Sequence, residues 1–172
     1  FDAPPSFEDA GNGRWKPNFF FGVQDPADPR GWTSRTIESN GELQYYGTSI
    51  APVSPFEWKN GILSIVARNN PDKANPQFHG LPYLSGLITT ETSFRQSTGY
   101  FEARIAIPPG RGLWPAFWLL PVPKIQNGNP VHPGGQEIDV FEAIGEPGII
   151  YQTVFTDRAG AKVKNAQMYD TT

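Results

Sequence analysis

The sequence predicts an all-β fold, a sandwich or barrel of short antiparallel strands, and three observations carry that expectation. Of its 172 residues, 18 are Gly and 18 are Pro, while aromatic residues make up 13%, the composition of many short strands joined by tight turns. Asn60-Gly61 separates the runs Phe56–Lys59 and Ile62–Arg68, and this dipeptide suits the two positive-φ positions of a hairpin turn. Tyr100–Ile107 alternates cleanly, with Phe101, Ala103, Ile105 and Ile107 on one face and Tyr100, Glu102 and Arg104 on the other. That is the pattern of a strand in a sheet buried on one side and wet on the other.

Composition also excludes several classes. The net charge of -3 gives no basic footprint for nucleic acid. No apolar run approaches the roughly 18 residues of a membrane-spanning helix. With 0 Cys and 2 His, disulfides and thiolate metal sites are excluded and a zinc site is not expected. The length suits one domain over residues 1–172. The chain opens at Phe1 without Met or an apolar leader, which fits a secreted protein after signal removal and equally a trimmed chain.

Residues 1–31, rich in Pro, Gly, Asn and Asp, read as an extended lead-in. Strands are expected at Thr33–Glu38 and Glu42–Tyr46 around the Ser39-Asn40-Gly41 turn, followed by the Asn60-Gly61 hairpin. Asn69–Pro82 is a Pro- and Asn-dense loop. Gly86–Phe94 and Tyr100–Ile107 are predicted to pair around Ser97-Thr98-Gly99. Leu113–Leu120 is a further strand, irregular or at an edge near Pro115, which cannot donate to a ladder. After a long loop, Pro121–Gly135, strands are expected at Glu137–Glu142, Ile149–Thr156 and Lys162–Met168. No helix, repeat or linker is evident.

Chemistry concentrates in Gly135-Gln136-Glu137-Ile138-Asp139-Val140-Phe141-Glu142-Ala143. On a strand, Glu137 and Asp139 share a face, while Glu142, at an odd offset, falls on the other. A β-bulge near Val140–Phe141 would return Glu142 to the carboxylate face. Glu137 and Glu142 would then stand about 13 Å apart at their α-carbons. Side chains leaning inward bring the carboxyls to about 5 Å, the separation of a retaining glycosidase pair. A solvated acidic face is the ordinary alternative for such spacing taken alone. In Gly112–Leu120, Trp114 and Trp118 share a face at an offset of four. Paired Trp residues suit a core or, with N–H groups free, a platform for a sugar ring.

Taken in order, Ser39-Asn40-Gly41-Glu42-Leu43-Gln44, Gly99-Tyr100-Phe101-Glu102-Ala103-Arg104, Gly112–Leu120 and Glu137–Glu142 resemble the family 16 glycoside hydrolases, of laminarinase and lichenase type. The resemblance spans about residues 35–156 and implies a β-jelly-roll sandwich with a sugar-binding cleft. By its motif positions Glu137 would be the nucleophile and Glu142 the acid/base, with Asp139 assisting between them. Asn40, Glu102, Arg104, Trp114 and Trp118 match substrate-binding positions. The six-residue signature with its extra residue is similar to the bulged branch of laminarinases and bacterial exopolysaccharide glycanases.

The implied activity is a secreted endo-β-glycanase on β-1,3- or mixed β-1,3/1,4-linked glucan or an exopolysaccharide, so that the partner is a polysaccharide. A transglycosylase and a non-catalytic glucan-binding module on the same scaffold are the alternatives. No cofactor is required. The resemblance implies a structural calcium ion near Glu8 or Asp9 and the backbone at Asn60-Gly61. Two departures stand out. Phe155 occupies the position where relatives often carry a His, which puts the usual arrangement beside the acid/base in doubt. The expected strands also stop soon after the catalytic one, which predicts an incomplete sandwich awaiting a second copy or a further segment, with the apolar faces of Tyr100–Ile107 and Leu113–Leu120 poorly covered.

Overall fold

The computed structural model describes residues 1–11, 13–19, 35–50, 52–122, 124–127, 129–131, 136–158 and 161–170. It is all-β: no α-helix occurs among the described residues, and three-residue 3₁₀ turns lie at Glu8–Ala10, Glu38–Asn40 and Pro76–Phe78. Its antiparallel sheets are consistent with the expected jelly roll. The chain divides into two compact units, Phe1–Gln96 and Ser97–Thr172.

The first unit contains β1 (Gln44–Tyr46), β2 (Phe56–Lys59), β3 (Ile62–Ile65), β4 (Arg68–Asn69) and β5 (Tyr83–Ser85). The β2–β3 hairpin forms where Asn60-Gly61 predicts it, with φ of 51° and 77° at the two turn residues, the left-handed values such a turn demands. The second small sheet runs β1–β5–β4, and its β1–β5 pairing is parallel. The core gathers Phe7, Phe19, Phe78 and Leu84. Phe7 stacks on Phe56 at 4.7 Å and Tyr45 meets Phe78 edge-on at 5.1 Å, both within the range of favourable ring pairs.

The second unit contains β6 (Ala116–Leu119), β7 (Lys124–Gln126), β8 (Asn129–Val131), β9 (Glu137–Glu142), β10 (Ile149–Arg158) and β11 (Ala161–Asp170). Four of them form an antiparallel sheet ordered β11–β10–β9–β6. β9 therefore has a neighbour on each side, which fixes its register twice over.

Several expectations are corrected. Glu38–Asn40 is a 3₁₀ turn rather than the end of a strand, closed by Gly41 at φ 69°, while residues 33 and 34 lie outside the described set. Gly86–Phe94 is not a strand. Thr89 makes one isolated bridge to Lys16, and Phe94 N–H turns back onto Thr90 O. Tyr100–Ile107 joins no ladder among the described residues, and Tyr100, Ile105 and Ile107 are exposed. Alternation gives a chain two faces, but a strand also needs a neighbour to take its backbone hydrogen bonds. The loop expected over Pro121–Gly135 carries the β7–β8 hairpin, and the Asn69–Pro82 loop begins within β4. The irregularity expected at Pro115 is present: β6 begins one residue later, and Pro115 O accepts the Ala143 N–H at 3.0 Å.

Candidate active site

β9 carries the predicted bulge. On its β10 side Asp139 pairs with Thr153 and Glu142 with Tyr151, so three steps along β9 match two along β10. On its β6 side Asp139 pairs with Trp118 and Phe141 with Phe117, so two steps match one. The β6 register makes Val140 the extra residue, and the β10 register, with Val140 and Phe141 opposite Gln152, is consistent with it. Glu142 is thereby returned to the face of Glu137 and Asp139. The β-branched and aromatic residues between the acids favour the strand, and the odd Glu137–Glu142 offset makes the bulge necessary.

Directly paired residues in antiparallel strands project on one face, so the register defines the surroundings of each acid. Glu137 faces Phe155, Asp139 lies between Trp118 and Thr153, and Glu142 lies between Ala116 and Tyr151. The Trp114 indole N–H donates to Glu142 Oε1 at 2.9 Å. The tryptophans predicted to share a face thus both reach the carboxylate row, one beside Asp139 and one on Glu142. Trp114 remains half exposed, leaving ring surface open to a ligand.

Asp139 is the buried member, only 3% exposed, and its Oδ2 has no hydrogen-bond donor among the described groups. The Glu137 and Glu142 carboxyls are close enough to act on its charge. Burial first, then the negative charges of Glu142 and Glu137, push its pKa up to about 7. A proton on Asp139 removes one of three like charges at the site and so lessens the repulsion between the carboxyls. The arrangement sets a carboxyl that holds its proton beside two glutamates on one face.

The other predicted residues are placed differently. Asn40 belongs to the first unit, in the Glu38–Asn40 turn. Glu102 and Arg104 are exposed on the irregular 100–107 segment, without a hydrogen bond or ion pair among the described residues. Phe155 stands beside Glu137, not Glu142, so the departure noted in the sequence bears on the predicted nucleophile. The aromatic opposite Glu142 is Tyr151, whose hydroxyl donates to Glu146 Oε2 at 3.2 Å. Sequence reasoning missed Tyr151 and Gln152. Pairing with β9 through the shifted register is the only signal that marks them.

The groups expected around a calcium ion are engaged elsewhere. Glu8 accepts from the Thr92 hydroxyl, Asp9 from Ser49 N–H and its hydroxyl, and Gly61 O from the Phe1 ammonium. Among the described residues no three acidic or His side chains converge on a metal-sized site.

The antiparallel sheet thus presents two glutamates and a buried aspartate on one face, beside two tryptophans. Residues 56–172 match the profile of glycosyl hydrolases family 16, and the chain belongs to that family. It is 33% identical over 163 residues to the endo-1,3-1,4-beta-glycanase EglC of Rhizobium meliloti (strain 1021), covering 92% of this chain and 32% of that protein. A second glycanase of that organism, ExsH, is 35% identical over 156 residues, covering 88% and 30%. The beta-glucanase of Rhodothermus marinus is 33% identical over 150 residues, covering 83% and 47%. The chain therefore spans about a third of the length of the first two relatives and about half of the third.

Proposed function

We propose that this protein is a retaining endo-β-glycanase acting on β-1,3- or mixed β-1,3/1,4-linked glucan, or on a bacterial exopolysaccharide of related linkage. The observation that carries the reading is the Val140 bulge, which puts Glu142 on the face of Glu137 and Asp139. The printed activities of the glycanase and glucanase relatives supply the substrate class.

In the first step Glu137 attacks the anomeric carbon while Glu142 gives its proton to the departing glycosidic oxygen, leaving a covalent glycosyl-enzyme. In the second, Glu142 takes a proton from water, and the resulting attack releases the sugar and frees Glu137. Asp139 shares its proton with the two glutamates and so moderates the charge that builds on each in turn. A polysaccharide does not diffuse across a lipid membrane, which supports an extracellular or periplasmic place of action.

Reducing-sugar release from laminarin, lichenan and succinoglycan tests the reading. Activity on at least one, abolished in Glu137→Gln, is expected. Binding of these polymers without release of reducing ends would instead make the protein a glucan-binding module.

A further inference from the structure

The bulge that assembles the site has a latch on the neighbouring strand. Gln152 is the β10 residue between Tyr151 and Thr153, so it stands opposite the extra residue of β9. Tyr151 and Thr153 project on the carboxylate face, and alternation sends Gln152 to the reverse face. From there its Nε2 donates to the Val140 carbonyl at 2.8 Å. A bulge residue is left out of the regular ladder, and a primary amide on a two-carbon stem reaches a carbonyl displaced from register. Leu, Val or Thr at 152 could not make this bond, because they have no N–H at that reach.

We propose that Gln152 is a positioning residue that fixes the bulge at Val140 and thereby holds Glu142 in line as the general acid. The inference rests on the glycanase reading above. The extra residue of β9 has more than one place to sit. If the strand takes it up beyond Glu142, that side chain turns to the face of Ile138 and leaves Glu137 without its partner. The amide of Gln152 finds its acceptor only when the extra residue is Val140, so it selects the register in which the three acids converge. It touches neither substrate nor the reacting atoms.

A role in holding the acid predicts a particular kinetic signature. Proton donation matters most for a poor leaving group and little for one that departs as a stable anion. The test compares kcat/KM, which reports the first displacement, for phenyl and 2,4-dinitrophenyl β-laminaribiosides in wild type, Gln152→Met, Gln152→Asn and Glu142→Ala. The ratio of the two rates on one preparation cancels any difference in folded fraction. Gln152→Met is expected to lose about tenfold on the phenyl glycoside and less than twofold on the dinitrophenyl glycoside, in line with the loss of about one hydrogen bond. Glu142→Ala should show the same selectivity more strongly, and Gln152→Asn, which keeps the amide on a shorter stem, should fall between Met and wild type.

If Glu142→Ala shows the selectivity and Gln152→Met does not, the positioning role is wrong while the glycanase reading stands. If Glu142→Ala itself lacks the selectivity, the acid/base assignment fails and the latch fails with it. Equal losses on both glycosides in Gln152→Met would mean a merely structural contact and would also overturn the inference.

Discussion

Tyr100–Ile107 and Glu137–Glu142 are both runs of alternating apolar and charged residues, yet only the second is a strand. The first has the cleaner alternation, and its Tyr100, Ile105 and Ile107 are 83%, 48% and 41% exposed. The second breaks its own pattern at Val140, is paired on both sides, and buries Asp139 to 3%. Neighbours decide the outcome. A period-2 pattern states which face is apolar, whereas the ladder on either side states whether there is a sheet and where each side chain points. In β9 the two ladders agree on one extra residue, and that agreement converts three acids at mismatched spacing into a site.

The widest separation between these regions comes from deleting single residues. Removing Val140 takes away the bulge and leaves Glu137, Asp139 and Glu142 at even spacing on one face, so activity is expected to stay within about tenfold of wild type. Removing Ile138 while the bulge at Val140 is kept turns Glu137 to the face opposite Asp139 and Glu142, and should reduce kcat/KM by about 10³-fold or more. Assays of the two deletions on laminarin check this. Equal losses from both would mean that the register is not what assembles the site.

A smaller effect, on stability rather than rate, is expected from Asp139→Asn. The native Asp139 carboxyl, pushed up to about 7, holds its proton where the unfolded group, near 3.9, has lost it. The native state therefore binds more protons between these values, and stability falls as pH rises from about 4 through 7. The amide removes that dependence. The variant should melt at nearly the wild-type temperature at pH 4 and be more stable by about 1–3 kcal/mol at pH 8. Thermal melts across this range measure it, with hydrolysis reduced throughout. A variant uniformly less stable at both pH values would contradict a shared proton.

The smallest expected effect lies in the other region. Ile105→Thr alters an exposed side chain without ladder partners among the described residues, and should change stability by no more than about 0.5 kcal/mol. Denaturant midpoints for this variant and for Ala143→Ser, whose parent side chain is 6% exposed beside the carboxylate strand, put the comparison on one scale. A loss at Ile105 larger than at Ala143 would show that the 100–107 segment is covered after all.

How much of this was legible in the sequence follows the same division. The Asn60-Gly61 hairpin could be read because the two residues that form the turn also determine its geometry. The bulge could be read because Glu142 sits at an odd offset, and only an extra residue reconciles it with Glu137. Trp114 and Trp118 could be assigned a common face, but not partners, since the bond to Glu142 spans 28 residues. Gln152 could not be found at all: a glutamine in a strand has no local signature when its acceptor is a carbonyl on the next strand. The parallel β1–β5 pairing is likewise non-local, joining residues 44–46 to 83–85. Tyr100–Ile107 shows the converse failure, where a strong local pattern was read as pairing.

The central claim is that the bulge makes Glu137 and Glu142 a retaining pair. Proton NMR of the first product formed from a β-linked laminari-oligosaccharide, recorded before mutarotation, tests it most directly. Two displacements at one carbon predict a product that appears first as the β-anomer and only later relaxes toward the equilibrium mixture. Initial appearance of the α-anomer would mean a single inverting displacement by water. In that case Glu137 would be a base rather than a nucleophile, and the geometry assigned to the bulged strand would be wrong.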